Sequence, residues 1–339
     1  MLTILHSIAP LVLIIVAGVV SGRTGLLPPT FRKALSDFCF YFGMPALLIR
    51  TIATAPTSST AAHLIWGSYL LPAGLIWIAA TLLARDERRR PHNDAPSIAM
   101  ASAYGNVIML GIPLALAQFG QASATTVAFI VLVHSPVLFL VAALHSELTA
   151  ISASRLHRAA SISLPVGGAA VHQGTMLGTS LARALRDVSV ELVANPIIIA
   201  ILVGLVLRTS GIGLDPVSSA ALSLLGQATL PCVLLAMGLS FSVFELKGEV
   251  GVIGAISFLK LAAMPALAWL TTSQVFHLPP RDVAVITLLS AMPTGANAYV
   301  FASRSGKAEA SVAGAVTLST IFSVVTITLV LATVGARPE

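Results

Sequence analysis

Ten apolar segments follow one another along this chain, and each is long enough to cross a lipid bilayer as a helix. A spanning helix needs roughly 20 mostly apolar residues, because each residue adds about 1.5 Å to the path across the hydrocarbon core. The segments, numbered 1 to 10, lie near residues 4–20, 31–53, 62–84, 96–118, 122–146, 188–207, 216–243, 250–272, 282–303 and 309–334. Only 9% of the residues are charged, against about 25% in an ordinary soluble domain. The sequence therefore predicts an all-α integral membrane protein with ten transmembrane helices.

The basic residues are distributed unequally between the connections. Fourteen of the 19 Lys and Arg residues lie in the connections after segments 1, 3, 5, 7 and 9, and four lie on the opposite side. Because basic loops stay on the cytoplasmic side, we expect a multi-pass protein of the inner (plasma) membrane with both termini outside. The excess charge is spread over one membrane face, which argues against a nucleic-acid partner and leaves membrane lipid as the partner of that face.

The two halves of the chain contain an internal repeat. Four Gly and Pro positions match at one offset of 186 residues: Pro10 with Pro196, Gly18 with Gly204, Gly25 with Gly211 and Pro45 with Pro231. With five segments in each copy, the second copy enters the membrane from the opposite side, which makes a 5+5 inverted repeat. The predicted units are the first repeat at 1–146, a cytoplasmic linker at 147–187 and the inverted second repeat at 188–339.

Segments 4 and 9 are interrupted by glycine, proline and asparagine at corresponding places in the two halves. Residues 105–113 read Gly-Asn-Val-Ile-Met-Leu-Gly-Ile-Pro, and residues 293–297 read Pro-Thr-Gly-Ala-Asn. Unpaired backbone groups cost several kcal/mol each in hydrocarbon, so non-helical chain survives there only where protein shields it or where it lines a polar cavity. Paired breaks of this kind predict a binding site near the midplane of the membrane.

The predicted substrate-binding residues surround these breaks. They are Gly105, Asn106, Pro113, Lys260, Pro293, Gly295, Asn297 and Tyr299. A broken helix exposes free amides on which an anion can sit, and asparagine side chains both donate and accept hydrogen bonds. Each asparagine could instead cap freed backbone groups without touching a ligand, and Tyr299 could be a packing residue. We expect Pro113 and Pro293 to break their helices, because proline lacks an amide hydrogen.

Three ionisable residues within the apolar segments are candidates for coupling transport to protons. Lys260 lies near the middle of segment 8, where a cation costs about 2.5–3.5 kcal/mol on insertion scales. It is expected either to pair with substrate or exchange protons, or to bond structurally to carbonyls of the broken helices. His134 and Asp37 are the other two candidates, and the alternatives are a hydrogen-bonded structural histidine and an interfacial carboxylate.

Motifs of enzymatic chemistry are absent from the sequence. There is no Walker loop, no His-Glu-x-x-His and no Gly-x-Ser-x-Gly turn. Cys39 and Cys232 both fall within apolar segments, where packing is the usual role, so no metal and no cofactor is predicted. A carrier driven by gradients is favoured. The alternatives of another class are a membrane sensor or an intramembrane enzyme that uses the same pocket without moving solute.

Several motifs together resemble the auxin efflux carrier family, the PIN-like transporters that include malonate carriers. They are Phe42-Gly43-Met44-Pro45-Ala46-Leu47-Leu48, Gly105-Asn106 through Gly111-Ile112-Pro113-Leu114, Leu230-Pro231 with Ala236-Met237-Gly238, Lys260 with Pro265, and Met292-Pro293-Thr294-Gly295-Ala296-Asn297 with the residues that follow. The resemblance extends over nearly the whole chain except the central linker. It identifies the chain as similar to a bacterial member of that family.

The resemblance implies a fold similar to bile-acid transporters and sodium/proton antiporters, with segments 4 and 9 crossing at their breaks. It implies a scaffold of segments 1, 2, 6 and 7 that forms a homodimer, and a transport domain of segments 3–5 and 8–10 that moves in an elevator-like or rocking manner. The implied function is efflux of small organic anions, auxin-like or malonate-like carboxylates, with Asn106 on the substrate. Plant members have an apolar residue where this chain has Asn297. Sodium-coupled symport is the alternative, although segment 4 is poor in the acidic and hydroxyl groups of sodium sites.

Overall fold

The structure is a computed structural model that describes residues 2–55, 60–86, 94–160, 195–241 and 248–334. All regular elements in these ranges are helices. The α-helices are Leu2–Arg23, Pro29–Phe38, Met44–Thr54, Ala62–Asp86, Ala95–Ala103, Ile112–Phe119, Ala124–Ala160, Pro196–Ser210, Pro216–Phe241, Val250–Phe258, Met264–Leu270, Pro280–Ser290, Ala296–Ser305 and Glu309–Val334. Among the described residues, 6 helices are long and apolar enough to cross a membrane. The prediction of an all-helical membrane protein is confirmed.

The helix that begins in segment 5 is longer than predicted. It runs from Ala124 to Ala160 and so continues into the first part of the predicted linker. The rest of that linker, and the start of segment 6, lie outside the described residues. Segment 6 is described from Asn195, whose side chain accepts a hydrogen bond from the amide of Ile197 at 2.9 Å. That bond caps the helix Pro196–Ser210 at its first turn.

Wider helical turns precede three prolines inside the apolar segments. The π-helical turns Cys39–Gly43, Val107–Gly111 and Leu259–Ala263 come directly before helices whose second residue is Pro45, Pro113 or Pro265. A proline lacks the amide hydrogen and clashes with the carbonyl of the preceding turn. An extra residue in that turn moves the carbonyl aside and lets the chain stay helical. Pro113 therefore does not break segment 4, contrary to expectation, and the break lies at residues 104–106.

The helices pack in two groups. Leu2–Arg23 packs along Pro216–Phe241, and Met44–Thr54 packs along Pro196–Ser210, so segments 1, 2, 6 and 7 contact one another extensively. The backbones of segments 1 and 7 meet at Gly18 and Gly238, where an added Cβ on Gly238 would lie 2.1 Å from the carbonyl oxygen of Ile15. Only glycine allows so close an approach.

The second group is formed by segments 3, 4, 5, 8, 9 and 10. Its largest contacts join Ala62–Asp86 to Ala95–Ala103 and Val250–Phe258 to Glu309–Val334. The two helices that precede the breaks are the most enclosed elements, since every residue of Ala95–Ala103 is buried and only Pro280 and Arg281 of Pro280–Ser290 are not. The breaks of segments 4 and 9 therefore lie inside this group and not at its surface.

Candidate functional site: the crossing of two broken helices

The two interrupted segments meet backbone to backbone. Gly105 and Thr294 form an antiparallel bridge. The amide of Asn106 donates to the carbonyl of Pro293 at 2.7 Å, and the amide of Gly295 donates to the carbonyl of Tyr104 at 3.0 Å. Each break thus supplies the partner that the other lacks, which satisfies backbone groups that would otherwise be unpaired inside the membrane.

Side chains of neighbouring helices hold Thr294 in place. Its amide donates to Ser319 Oγ at 3.0 Å, and its hydroxyl donates to the carbonyl of Ala101 at 3.0 Å. Gly295 has no room for a side chain, because an added Cβ would lie 2.8 Å from Cδ1 of Tyr104. These contacts explain why the break in segment 9 contains a small hydroxyl residue followed by glycine.

Lys260 is buried against the break of segment 4. The side chain has 0% exposure, and its Nζ donates to the carbonyl of Ser290 at 2.8 Å. An added Cβ on Gly105 would lie 3.0 Å from both Cε and Nζ of Lys260. In the described part of the chain no carboxylate pairs with this ammonium. The π-helical turn Leu259–Ala263 carries the lysine and aims it at the crossing.

His134 contacts the backbone of the same glycine. Its Nε2 lies 3.0 Å from the carbonyl oxygen of Gly105, and its Nδ1 lies 2.8 Å from the hydroxyl of Tyr69. A carbonyl oxygen can only accept, so Nε2 carries the hydrogen, and a neutral ring then accepts at Nδ1 from the tyrosine hydroxyl. Gly105 therefore lies beside two ionisable side chains, one from segment 5 and one from segment 8.

A second polar chain leads from the crossing to a cavity. The hydroxyls of Tyr104 and Ser135 lie 2.8 Å apart, and Nδ2 of Asn297 donates to the Tyr104 hydroxyl at 3.0 Å. Asn297 itself is exposed at the cavity, and its amide oxygen faces no described donor. Tyr104 thus ties the two breaks together through side chains as well as through its backbone.

The crossing cavity has a volume of about 330 Å³, within the size range of small-molecule sites. Its walls include Phe40, Tyr41, Tyr104, Asn106, Asn195 and Asn297. Within the described residues the side chain of Asn106 makes no hydrogen bond, although its backbone amide and carbonyl are both bonded. Three asparagines, Asn106, Asn195 and Asn297, therefore line the cavity, and the side-chain amide of Asn106 has unused donors and acceptors.

Three predicted site residues lie elsewhere. Asp37 forms an ion pair with Lys33 near the start of segment 2, with about half of its side chain exposed. The hydroxyl of Tyr299 donates to Glu309 at 2.9 Å at an exposed position. Pro113 lines a different cavity and lies two residues after the end of the π-helical turn Val107–Gly111. The structure brings the remaining candidates, Gly105, Asn106, Lys260, Pro293, Gly295, Asn297 and His134, to one place or to contacts with it.

Sequence reasoning did not single out several partners at the crossing. These are Tyr69, Ser135, Thr294 and Ser319, each a buried residue with a hydroxyl in an apolar segment, and Ser290, which contacts Lys260 through its backbone carbonyl. Hydroxyl residues often bond to a carbonyl of their own helix, as Ser68 and Ser102 do here. Composition and spacing do not show whether a hydroxyl bonds within its own helix or to another helix. Only Ser135 could have been suspected from the sequence, because it follows the buried histidine His134.

The comparisons with known proteins agree on one class. The family described as "Membrane transport protein" matches residues 3–331. A protein of Rhizobium meliloti (strain 1021) named "Putative malonate transporter" is 27% identical over 310 residues, which cover 90% of this chain and 88% of the relative. An uncharacterized transporter of Methanocaldococcus jannaschii is 23% identical over 330 residues, which cover 94% of each chain.

Proposed function

Because the chain belongs to the membrane transport protein family, we propose that it is a secondary transporter of small organic anions that bind where the two broken helices cross. The family predicted from the sequence motifs is confirmed by this match. The observation that carries the proposal is the pairing of the breaks next to a buried lysine that has no described carboxylate partner, beside a cavity lined by three asparagines.

The charge of the site favours an anion. The helical runs that begin at Val107 and Ala296 both start at the cavity, so their free amides contribute partial positive charge there. The side-chain nitrogen of Lys260 lies beside Gly105 and adds positive charge to the site when it is protonated. Asn106 can donate to a carboxylate with an amide that no described residue occupies. Small carboxylates, malonate-like or auxin-like, therefore suit this site best.

The contacts also support a 5+5 inverted repeat of ten transmembrane helices. The bonds from Asn106 to Pro293 and from Gly295 to Tyr104 form an antiparallel bridge, whose local two-fold symmetry is compatible with such a repeat, although the separation of 189 residues is three more than the offset of 186. The close approach of Gly18 to Gly238 has a counterpart at the offset of 186, where Gly204 meets Ile52. Two copies that enter the membrane from opposite sides produce such paired contacts.

Alternating access follows from the division of the helices into two groups. We propose that segments 1, 2, 6 and 7 are a scaffold, which forms the homodimer, and that segments 3–5 and 8–10 are a transport domain that moves against it as an elevator. The crossing cavity supports this division, because its walls come from segments 2 and 6 on one side and from segments 4 and 9 on the other. The distribution of basic residues between the connections supports the proposal that both termini lie outside the inner membrane, and the proposed net direction is efflux.

The decisive experiment is counterflow in sealed liposomes. The purified full chain is reconstituted into vesicles loaded with unlabelled malonate, and labelled malonate is added outside, with other dicarboxylates and indole acids tested in the same way. A carrier concentrates label inside, whereas protein-free vesicles do not. Binding of these anions without any exchange would show a sensor and would overturn the proposal. Exchange that requires sodium would instead identify a sodium-coupled symporter.

A further inference from the structure

A second cavity lies between the two helix groups on the other side of the crossing. Its volume is about 430 Å³, and its walls combine segments 2 and 7 with the second half of segment 4. The polar residues in the wall are Arg50, Thr51, Gln121, Ser223 and Gln227. No Asp or Glu is among the described residues that line it. The cavity therefore carries one full positive charge and no opposing carboxylate.

Arg50 has no partner of its own in the described protein. Its Nε is buried and lacks a hydrogen bond, and no described residue accepts a bond from any of its side-chain N–H groups. An arginine keeps its charge in any protein environment and offers five donors in a planar fork. Buried donors are nearly always satisfied, so the buried Nε of this partly buried arginine calls for an acceptor that the described chain does not supply.

The surrounding amides can add further donors. Nε2 of Gln227 donates to Ser223 Oγ at 2.9 Å, and Nε2 of Gln121 donates to the hydroxyl of Thr54. Each of these amide nitrogens carries a second hydrogen that is not used in those bonds. A guanidinium binds a carboxylate through two parallel hydrogen bonds, and nearby amides can bind the remaining lone pairs.

The position of this cavity relates it to the crossing. Segment 2 lines the crossing cavity at Tyr41 and the second cavity from Leu47 onward. Segment 4 lines the crossing cavity at Met109 and the second cavity from Pro113 onward. These separations correspond to about 9 Å and about 6 Å along the helices. Both cavities thus lie on the same boundary between the helix groups. The second one is nearer the membrane face opposite the basic loops, where the sequence places few cations.

We propose that the Arg50 cavity is a second binding site for a small carboxylate, at which the anion enters or leaves the path at its outer end. The proposal rests on the proposed function for the direction of that path. Binding itself needs no transport, so the two can fail separately. A charge that only oriented the chain would lie in a connection, as most other basic residues do, and would not line a cavity between moving groups.

Binding of malonate to the purified full chain tests the site. Isothermal titration is performed on the wild type, Arg50→Gln, Arg50→Lys and Arg281→Gln, and each variant is repeated with Asn106→Ala to remove the crossing contact. In the Asn106→Ala background, Arg50→Gln is expected to weaken malonate binding at least about tenfold, because charge-assisted hydrogen bonds are lost. Arg50→Lys should retain part of the affinity. Arg281→Gln removes the same charge on the same face outside the cavity and should leave the affinity unchanged.

The outcomes separate this site from the proposed function. Equal malonate affinity in Asn106→Ala with and without Arg50→Gln overturns the second site, whatever the counterflow assay shows. Arg50-dependent binding in a chain that exchanges no anion supports the second site and overturns the transporter proposal instead. The titration is repeated in phosphatidylcholine nanodiscs with and without phosphatidylglycerol. Loss of Arg50-dependent malonate binding in the anionic lipid would show a lipid headgroup as the occupant and overturn the carboxylate site.

Discussion

One buried ammonium dominates the electrostatics of the crossing. Lys260 is inaccessible to solvent, and its described hydrogen bond is to a carbonyl, not to a carboxylate. A carbonyl compensates a buried charge only in part, since desolvation of an ammonium costs several kcal/mol. The remaining attraction is available to an anion in the neighbouring cavity, because Gly105 keeps the space between lysine and backbone free of side chain.

Replacement of Lys260 by methionine tests that role. Methionine has a similar length and removes the cost of the buried charge, so we expect the midpoint of thermal unfolding to stay the same or rise. Counterflow of malonate should fall at least about tenfold, as expected for loss of one charged partner. Lys33→Met is the matched control, because its ion pair with Asp37 is exposed and contributes about 0–1 kcal/mol. Normal counterflow in Lys260→Met would limit this residue to a structural role.

The side chain of Asn106 is the described polar group best placed to bind substrate. It borders the crossing cavity, and no described residue bonds to it. Asn106→Ala should raise the dissociation constant of a transported carboxylate about tenfold, the effect of losing about 1.4 kcal/mol. Expression and the unfolding midpoint should not change, because the backbone bonds of residue 106 remain. Gln274→Ala removes an exposed amide as the control, and unchanged affinity in Asn106→Ala would contradict the assignment.

At the scale of helices, proline occurs in three settings, the first of which is the interior of a continuous α-helix, as at Pro10, Pro72, Pro136 and Pro231. In segments 2, 4 and 8 a π-helical turn precedes the proline, and the chain remains helical. In segment 9, Pro293 follows the helix Pro280–Ser290 and lies in the break itself, where its carbonyl accepts from Asn106. Pro45, Pro113 and Pro265 are each followed by an α-helix, whereas Pro293 is followed by Thr294 and Gly295 in the break.

Pro293→Ala is expected to slow transport. An alanine restores the amide hydrogen, so residue 293 can extend the helix that ends at Ser290. The carbonyl of residue 293 would then no longer accept the hydrogen bond from the amide of Asn106. We expect exchange to slow several-fold, measured as the initial rate of counterflow at saturating substrate. Pro113→Ala is the comparison, because Pro113 lies in a continuous helical run and should affect the rate less. Wild-type rates in Pro293→Ala would mean that Thr294 and Gly295 set the break.

At the scale of the whole molecule, the crossing cavity and the Arg50 cavity occupy one boundary. The helices on either side of that boundary pack far more with their own group than with the other. An interface of this kind can slide or rock without disrupting the core of either group. A substrate bound at this boundary would contact both groups, so movement of one group against the other could open the site first to one side of the membrane and then to the other.

Relative motion of the two groups can be measured with spin labels at exposed helix ends. The substitutions Arg32→Cys and Arg304→Cys place labels on segment 2 and segment 9, in a variant that also carries Cys39→Ser and Cys232→Ser. We expect the distance distribution of this pair to shift when malonate is added. A pair at Arg23 and Arg32, both in the proposed scaffold, should not shift. A change within the scaffold pair, or none in the first pair, would argue against movement of one group against the other.

Much of the architecture could be predicted from the sequence, because the bilayer imposes a length and an apolar composition on every spanning helix. The same reasoning located the breaks, since Gly105, Pro293 and Gly295 are poor helix residues in apolar surroundings. Pro113 has the same composition signal and was assigned wrongly as a helix breaker. Prolines elsewhere in the chain lie inside helices with or without a widened turn, so whether a proline interrupts a helix depends on packing by neighbouring segments and not on the proline alone.

What the sequence determined by itself is the class of molecule: an all-helical membrane protein of a transporter family, with interrupted helices and a costly lysine in an apolar segment. Those properties depend on the transfer of residues from water to lipid, which acts on each residue separately. Only the tertiary structure decided which groups meet, such as Lys260 and His134 at Gly105, or Arg50 and the two glutamines at the second cavity. Such contacts join residues far apart in the chain, and their distances depend on how whole helices pack.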